Sequence, residues 1–127
     1  MLIKPFLISL SLAILAGCSS SPANYSVTNA KVIEQGQASF YADKYHGRLT
    51  ANGEKFDQHA MTAAHKQLPF NSKVKVTNTA NNRSVVVRVN DRGPFIRGRI
   101  IDLSKHAFAK LAEPNLGVIN VTIEVID

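Results

Sequence analysis

The chain has 127 residues, with 15 Lys plus Arg against 9 Asp plus Glu for a formal net charge of +6, and a single cysteine. That length, without a second block of apolar periodicity, accommodates one domain around one core, and a lone cysteine excludes an internal disulfide. The basic excess calls for an acidic partner but does not choose between nucleic acid, an anionic polymer and a lipid head group.

The first stretch, "MLIKPFLISLSLAILAGCSS", carries one early lysine, an apolar run too short to span a bilayer comfortably, and small residues leading to Cys18. This is an export signal. Its end, "LAGC", resembles the lipobox of bacterial lipoproteins, which implies that residues 1–17 are removed and that Cys18 becomes the acylated first residue. An uncleaved anchor helix, or secretion with a free thiol, is the competing outcome. Acylated Cys18 would tie the protein stably to a membrane, and Ser19 after it resembles the outer-membrane sorting default, so the expected location is the periplasmic face of the envelope. Loss of Lys4 leaves 14 basic against 9 acidic residues, a net charge of +5. Outside the cytoplasm the expected acidic partners are wall polymers or lipid head groups rather than nucleic acid.

Residues 18–35 are rich in Ser, Asn, Ala and Thr without a sustained period and are expected to form a flexible tether, with the folded domain running from 36 to 127. "KVKVTN" (73–78) alternates Val74 and Val76 with polar residues, the pattern of a half-buried strand. After a turn at "TANNR", "SVVVRVN" puts Val85, Val87 and Val89 on one face, and Val86 on the other suggests a more central strand. "INVTIEVI" turns Val121, Ile123 and Val125 inward. One segment has helical spacing: Ser104 caps it, Ala107, Phe108 and Leu111 share a face, and Pro114 and Gly117 end it. A mainly β domain with one short helix and long polar connections predicts a barrel, which removes exposed strand edges; a monomer is expected.

The segment "SVVVRVNDRGPFIRGRIIDLS" (84–104) runs two apolar stretches into a loop holding Asp91, Arg92, Gly93, Pro94, Arg97 and Arg99. A simple reversal needs none of those charges. Asp91 follows a strand with an apolar inward face, which suits a reactive carboxyl, although an Asp that caps the turn of its own loop has the same sequence signature. His46, His59 and His106 lack metal-ligand spacing, and no nucleotide loop or serine-nucleophile motif is present, so neither metal nor cofactor is expected.

Three ordered blocks, "GQASFYADKYHGRLTANGEKFD", "MTAAHKQLPFNSKVKVTN" and "SVVVRVNDRGPFIRGRIIDLS", resemble the signature blocks of the rare lipoprotein A family over residues 36–126. The resemblance implies a six-stranded double-psi β-barrel with one or two short helices. It also implies a lytic transglycosylase that cleaves peptidoglycan glycan strands and leaves 1,6-anhydro ends. It assigns Glu54 of "ANGE", His65 of "TAAH" and Asp91 of "NDRGP" to the catalytic site. Asp91 is the expected general acid and Glu54 the second carboxylate, and the order of the two roles stays open. By residue type alone Glu54 is an ordinary turn residue after Asn52-Gly53, and His65, among apolar neighbours, a satisfied buried histidine. Arg48, Tyr41, Tyr45, Arg92 and Phe95 are the expected sugar-binding residues, with Phe40 and Tyr41 alternating between core and groove. Asp102 is expected to support the helix N-terminus.

The chain stops at Asp127, so a short form without the C-terminal peptidoglycan-binding domain of many family members is expected. Two other functions fit the same residues: an expansin-like wall-loosening module that binds glycan without cleaving it, and a structural lipoprotein that meets a protein through its basic face.

Overall fold

The computed structural model describes residues 31–127. The expected export signal, Cys18 and the expected tether up to residue 30 lie outside the described residues. Six strands, β1 (Val32–Phe40), β2 (Thr62–Ala64), β3 (Lys73–Asn78), β4 (Ser84–Asp91), β5 (Arg99–Leu103) and β6 (Ile119–Val125), close into a barrel in the order β1-β5-β2-β4-β3-β6. The pairs β1/β5 and β2/β4 are parallel and the others antiparallel. A parallel pair cannot be joined by a tight hairpin. The chain therefore crosses the barrel ends in long connections, and two of these, 41–61 and 92–98, meet at one rim.

Strand periodicity builds the core. Val74 and Val76 of β3, Val85, Val87 and Val89 of β4, Ile101 and Leu103 of β5, and Val121 and Ile123 of β6 are all buried. The outward residues of β3, β4 and β6 are mostly polar, and Val86 is 43% exposed. β4 is paired on both sides, by β2 and β3, as the central strand that Val86 suggested, while Val86 itself stays partly exposed among the described residues. One end of the barrel is plugged by α1 (Lys105–Ala109), whose Phe108 is fully buried with its ring 4.7 Å from that of Phe40. The Ser104 side chain accepts from the Ala107 amide at 3.2 Å as the expected cap.

Two expectations shift. β1 begins at Val32, four residues ahead of the boundary placed at 36, because β6 is long enough to pair with Val32, Glu34 and Gln35; the β-branched Val32 and Ile33 suit a strand. The helix is also shorter than its periodicity suggested. Lys110 and Leu111 bond back three residues, to Ala107 and Phe108, which tightens the last turn. Pro114 then opens a separate 3-10 turn (Pro114–Leu116) closed by Gly117 at a φ of 70°.

Candidate active site

Local irregularity in β4 creates the site. Alternation would send Asp91 inward behind Val85, Val87 and Val89. Against β2, however, Ala63 pairs with Val89 and Ala64 with Asp91, so Asn90 is an extra residue on β4. Such a bulge re-aims the side chains after it. Asp91 thereby lines a rim groove of about 690 Å³, and with it lie Tyr41, Tyr45, Arg48, Arg92 and Phe95. Gly93, at a φ of 123°, turns the chain directly after Asp91 and Arg92 in a conformation that side chains rarely adopt.

The Asp91 carboxylate is held on both oxygens. The Tyr41 hydroxyl donates to Oδ2, while the amides of Ala51 and Arg92 donate to Oδ1 at 2.8 and 2.9 Å. Burial, followed by the hydrogen bond to Asp91 and its charge, pushes the Tyr41 phenol well above its ordinary value, so it stays a proton donor. The Tyr41 ring is itself wedged between Phe56, with centroids 4.3 Å apart, and Tyr45, at 5.9 Å. The Arg48 guanidinium sits 5.4 Å from the Tyr45 ring centre, a cation over an aromatic face. Arg92 turns back: its guanidinium donates to the carbonyls of His65 and Leu68 and lies 4.0 Å from the Phe70 ring centre. Its side chain braces the loop, and only its backbone amide reaches Asp91.

Glu54 does not line the groove. Its carboxylate is gripped by the Arg88 fork, Nη1 to Oε1 at 2.7 Å and Nη2 to Oε2 at 2.8 Å, with Asn52 donating to Oε1 at 2.9 Å and Asn90 to Oε2 at 3.3 Å. The Arg88 hydrogen bonds, aided by those of Asn52 and Asn90 and by the Arg88 charge and opposed by burial, hold its pKa down at about 2. Glu54 is therefore a fixed anion near neutral pH. Through Asn52 it stiffens the 50–54 turn, and that turn presents the Ala51 amide to Asp91.

His65 also stands apart from the Asp91 carboxylate. Its Nδ1 accepts from the amides of Gln67 and Leu68, both at 3.1 Å, which leaves the proton on Nε2 to donate to Glu34 at 2.8 Å. The ring organises the loop whose carbonyls receive Arg92. Asp102 does not cap α1. It lines the groove in an ion pair with Arg99, both side chains about one-fifth exposed.

Sequence reasoning missed Arg88, Asn52 and Asn90, and also Leu49 and Ile96, which are exposed on the groove's apolar rim with Phe95. Alternation on β4 puts Arg88 and Asn90 on one face, but nothing in the sequence says that residue 54 meets that face. Among the described residues no group of His, Cys, Asp and Glu is arranged to hold a metal.

A closed mixed six-stranded barrel with crossing connections and an aspartate-bearing groove between two of them is a double-psi β-barrel. The profile of the lytic transglycolase family matches residues 33–123, and the chain belongs to that family. It is 61% identical over 93 residues to the endolytic peptidoglycan transglycosylase RlpA of Vibrio cholerae, covering 73% of this chain and 35% of that protein. To the protein of the same description from Neisseria meningitidis serogroup A it is 51% identical over 112 residues, covering 88% and 46%. The chain thus spans between about a third and a half of the length of these two curated relatives. Among solved structures, a Streptomyces papain inhibitor superposes with a TM-score of 0.60 at 27% identity, covering 76% of this chain and 97% of that one.

Proposed function

We propose that this domain is a peptidoglycan lytic transglycosylase that cleaves the bond between N-acetylmuramic acid and N-acetylglucosamine. The observation that carries the reading is Asp91, the groove carboxylate held by Tyr41, Ala51 and Arg92. Protonated Asp91 gives its proton to the glycosidic oxygen as the bond to the anomeric carbon breaks. The resulting carboxylate takes the proton of the muramic acid C6 hydroxyl as that oxygen closes on the same carbon, which yields the 1,6-anhydro end and consumes no water. The Tyr41 phenol holds the carboxyl in place throughout.

Tyr45, Phe95, Leu49 and Ile96 offer apolar surface to sugar faces, and Arg48 offers hydrogen bonds to sugar hydroxyls. Glu54 acts from outside the groove: with Arg88 it positions the turn that supplies the Ala51 amide. His65 likewise positions the loop behind Arg92. The protein acts as a monomer anchored to the outer membrane through acylated Cys18, on the periplasmic side. The "LAGC" motif and Ser19 support the anchor, and the closed barrel, which leaves no unpaired edge, supports the monomer.

The test is to incubate the purified protein with sacculi and with peptide-free glycan strands and to read the released fragments by mass spectrometry. Fragments with 1,6-anhydro ends, lost in Asp91→Asn, are expected. A second reading, glycan binding without cleavage as in expansins, is favoured by one observation: Glu54 is committed to Arg88 and leaves Asp91 as the single groove carboxylate free of an ion pair with arginine. Sedimentation with sacculi and no fragments would decide for it.

A further inference from the structure

The groove does not use a second cavity of about 610 Å³ on the other side of the 3-10 turn Asp43–Tyr45. Tyr45 faces the groove, whereas Asp43 and His46 line this pocket together with Gln58, His59, Lys105 and His106. Three of the four histidines of the chain thus gather at one place, and His65 is the exception.

The hydrogen bonding of these groups decides what they can hold. Gln58 is buried and its amide is spent: Nε2 donates to the Tyr41 carbonyl at 2.7 Å and to Asp43 at 3.1 Å, and Oε1 accepts from the Lys105 amide at 2.8 Å. The Gln58 backbone N–H donates to Nδ1 of His46 at 3.1 Å. With Nδ1 used as an acceptor, neutral His46 carries its proton on Nε2, the ring's remaining polar atom. A nitrogen that already bears a proton has no lone pair for a metal, but it is a donor to an oxygen. The Asp43 carboxylate, the only acidic group in the lining, stands 3.7 Å from the Lys105 ammonium and also receives Gln58. What remains open to a ligand is the Nε2 proton of His46, the further protons of Lys105, and the imidazoles of His59 and His106, each of which donates from one nitrogen when neutral and from both when protonated.

We propose that this pocket is a second binding site, separate from the groove, for a phosphate-type oxyanion. Lys105 and Asp43 cancel when the imidazoles are neutral; His46 serves as a neutral Nε2 donor, and His59 and His106 each add one positive charge on protonation, so anion affinity rises with acidification. The lining charges are those of Asp43 on the 3-10 turn, His46 just after it, His59 in the following connection, and Lys105 and His106 on α1. The volume exceeds that of a bare phosphate and leaves room for the group that carries it.

The test uses sulfate, whose charge is constant over the range, titrated into the purified protein while histidine ring resonances are followed by NMR at pH 5.5 and pH 8. Saturable shifts of His46, His59 and His106 but not His65, at least tenfold tighter at the lower pH and weakened at least fivefold in Lys105→Ala and in His106→Gln, are expected. Lys105 and His106 contact Gln58 through their backbone amides, so both variants keep that scaffold. No saturable shift at pH 5.5, or shifts unchanged in both variants, would overturn the site. Glycerol phosphate and phosphatidylglycerol vesicles then separate the sources. Competition with sulfate by the soluble ester alone assigns a free phosphoester, competition by both assigns a lipid head group, and competition by neither overturns the proposal. The readout does not involve glycan cleavage, so it stands or falls independently of the proposed activity.

Discussion

Replacing Glu54 by Gln tests whether this carboxylate works as a structural anion. Its pKa lies at about 2 against an ordinary 4.5, a difference worth about 3 kcal/mol if the site were dry. However, 39% of the Glu54 side chain is exposed, and solvent screening reduces the contribution to roughly 1 kcal/mol, the upper part of the range for an exposed pair with bidentate geometry. For a domain of this size that is a loss of about 4–8 °C in Tm at neutral pH. The sign follows from the lowered folded-state value: the stabilisation is present above pH 4.5 and disappears as pH falls toward 2, where wild-type Glu54 is protonated as well. Melting curves of wild type and Glu54→Gln followed by circular dichroism from pH 7 to pH 2 should therefore converge at the acid end. Arg88→Met should give a similar neutral-pH loss, and the double variant little more. A gap between wild type and Glu54→Gln that stays constant with pH, or additive losses in the double variant, would refute the coupling.

Removing the phenol with Tyr41→Phe leaves one Asp91 oxygen without its donor and should lower the rate of glycan cleavage about ten- to a hundredfold, the kinetic equivalent of one hydrogen bond to a charged group; unchanged kcat would exclude Tyr41 from the machinery. In Gly36→Ala the new Cβ would lie 2.6 Å from Ile100 Cγ2 and 3.1 Å from the Gly98 carbonyl, where β1 and β5 run together, so a loss of about 1–3 kcal/mol in urea unfolding is expected. Phe95→Ala removes a ring that is 81% exposed and should leave stability within about 0.5 kcal/mol while weakening sedimentation with sacculi several-fold.

Strands with strict alternation were readable because one face meets the barrel interior: β3 runs over 73–78 as its valines indicate. β1 was harder to read because its first residues are partly exposed and are held by pairing with β6, a long-range contact without a local signature. The same division holds at the site. Asp91 ends β4, most of the aromatic and basic residues around it lie on the two connections that meet there, and their chemistry marks them out. The motif assigns Glu54 and His65 to the same constellation, yet their side chains end on Arg88 and Glu34, partners 34 and 31 residues away in sequence. Asp102 was misread in the opposite sense. Ser104 caps α1 alone, which frees Asp102 to pair with Arg99 in the groove.

The bulge at Asn90 explains how one strand can serve both parts of this site. Before it, Arg88 projects to the outer side and takes hold of Glu54; after it, Asp91 enters the groove. Asn90 bridges the two, its side chain donating to Glu54 and its carbonyl accepting from Asn52 at 3.3 Å. The 50–54 turn is consequently fastened to β4 at three successive heights, by Arg88, Asn90 and Asp91. A loop fixed at three points along one strand has little freedom to move the Ala51 amide away from Asp91. The carboxylate is thus preorganised by a fixed ion pair that never enters the groove, and a ligand bound there would meet a site whose geometry is already set.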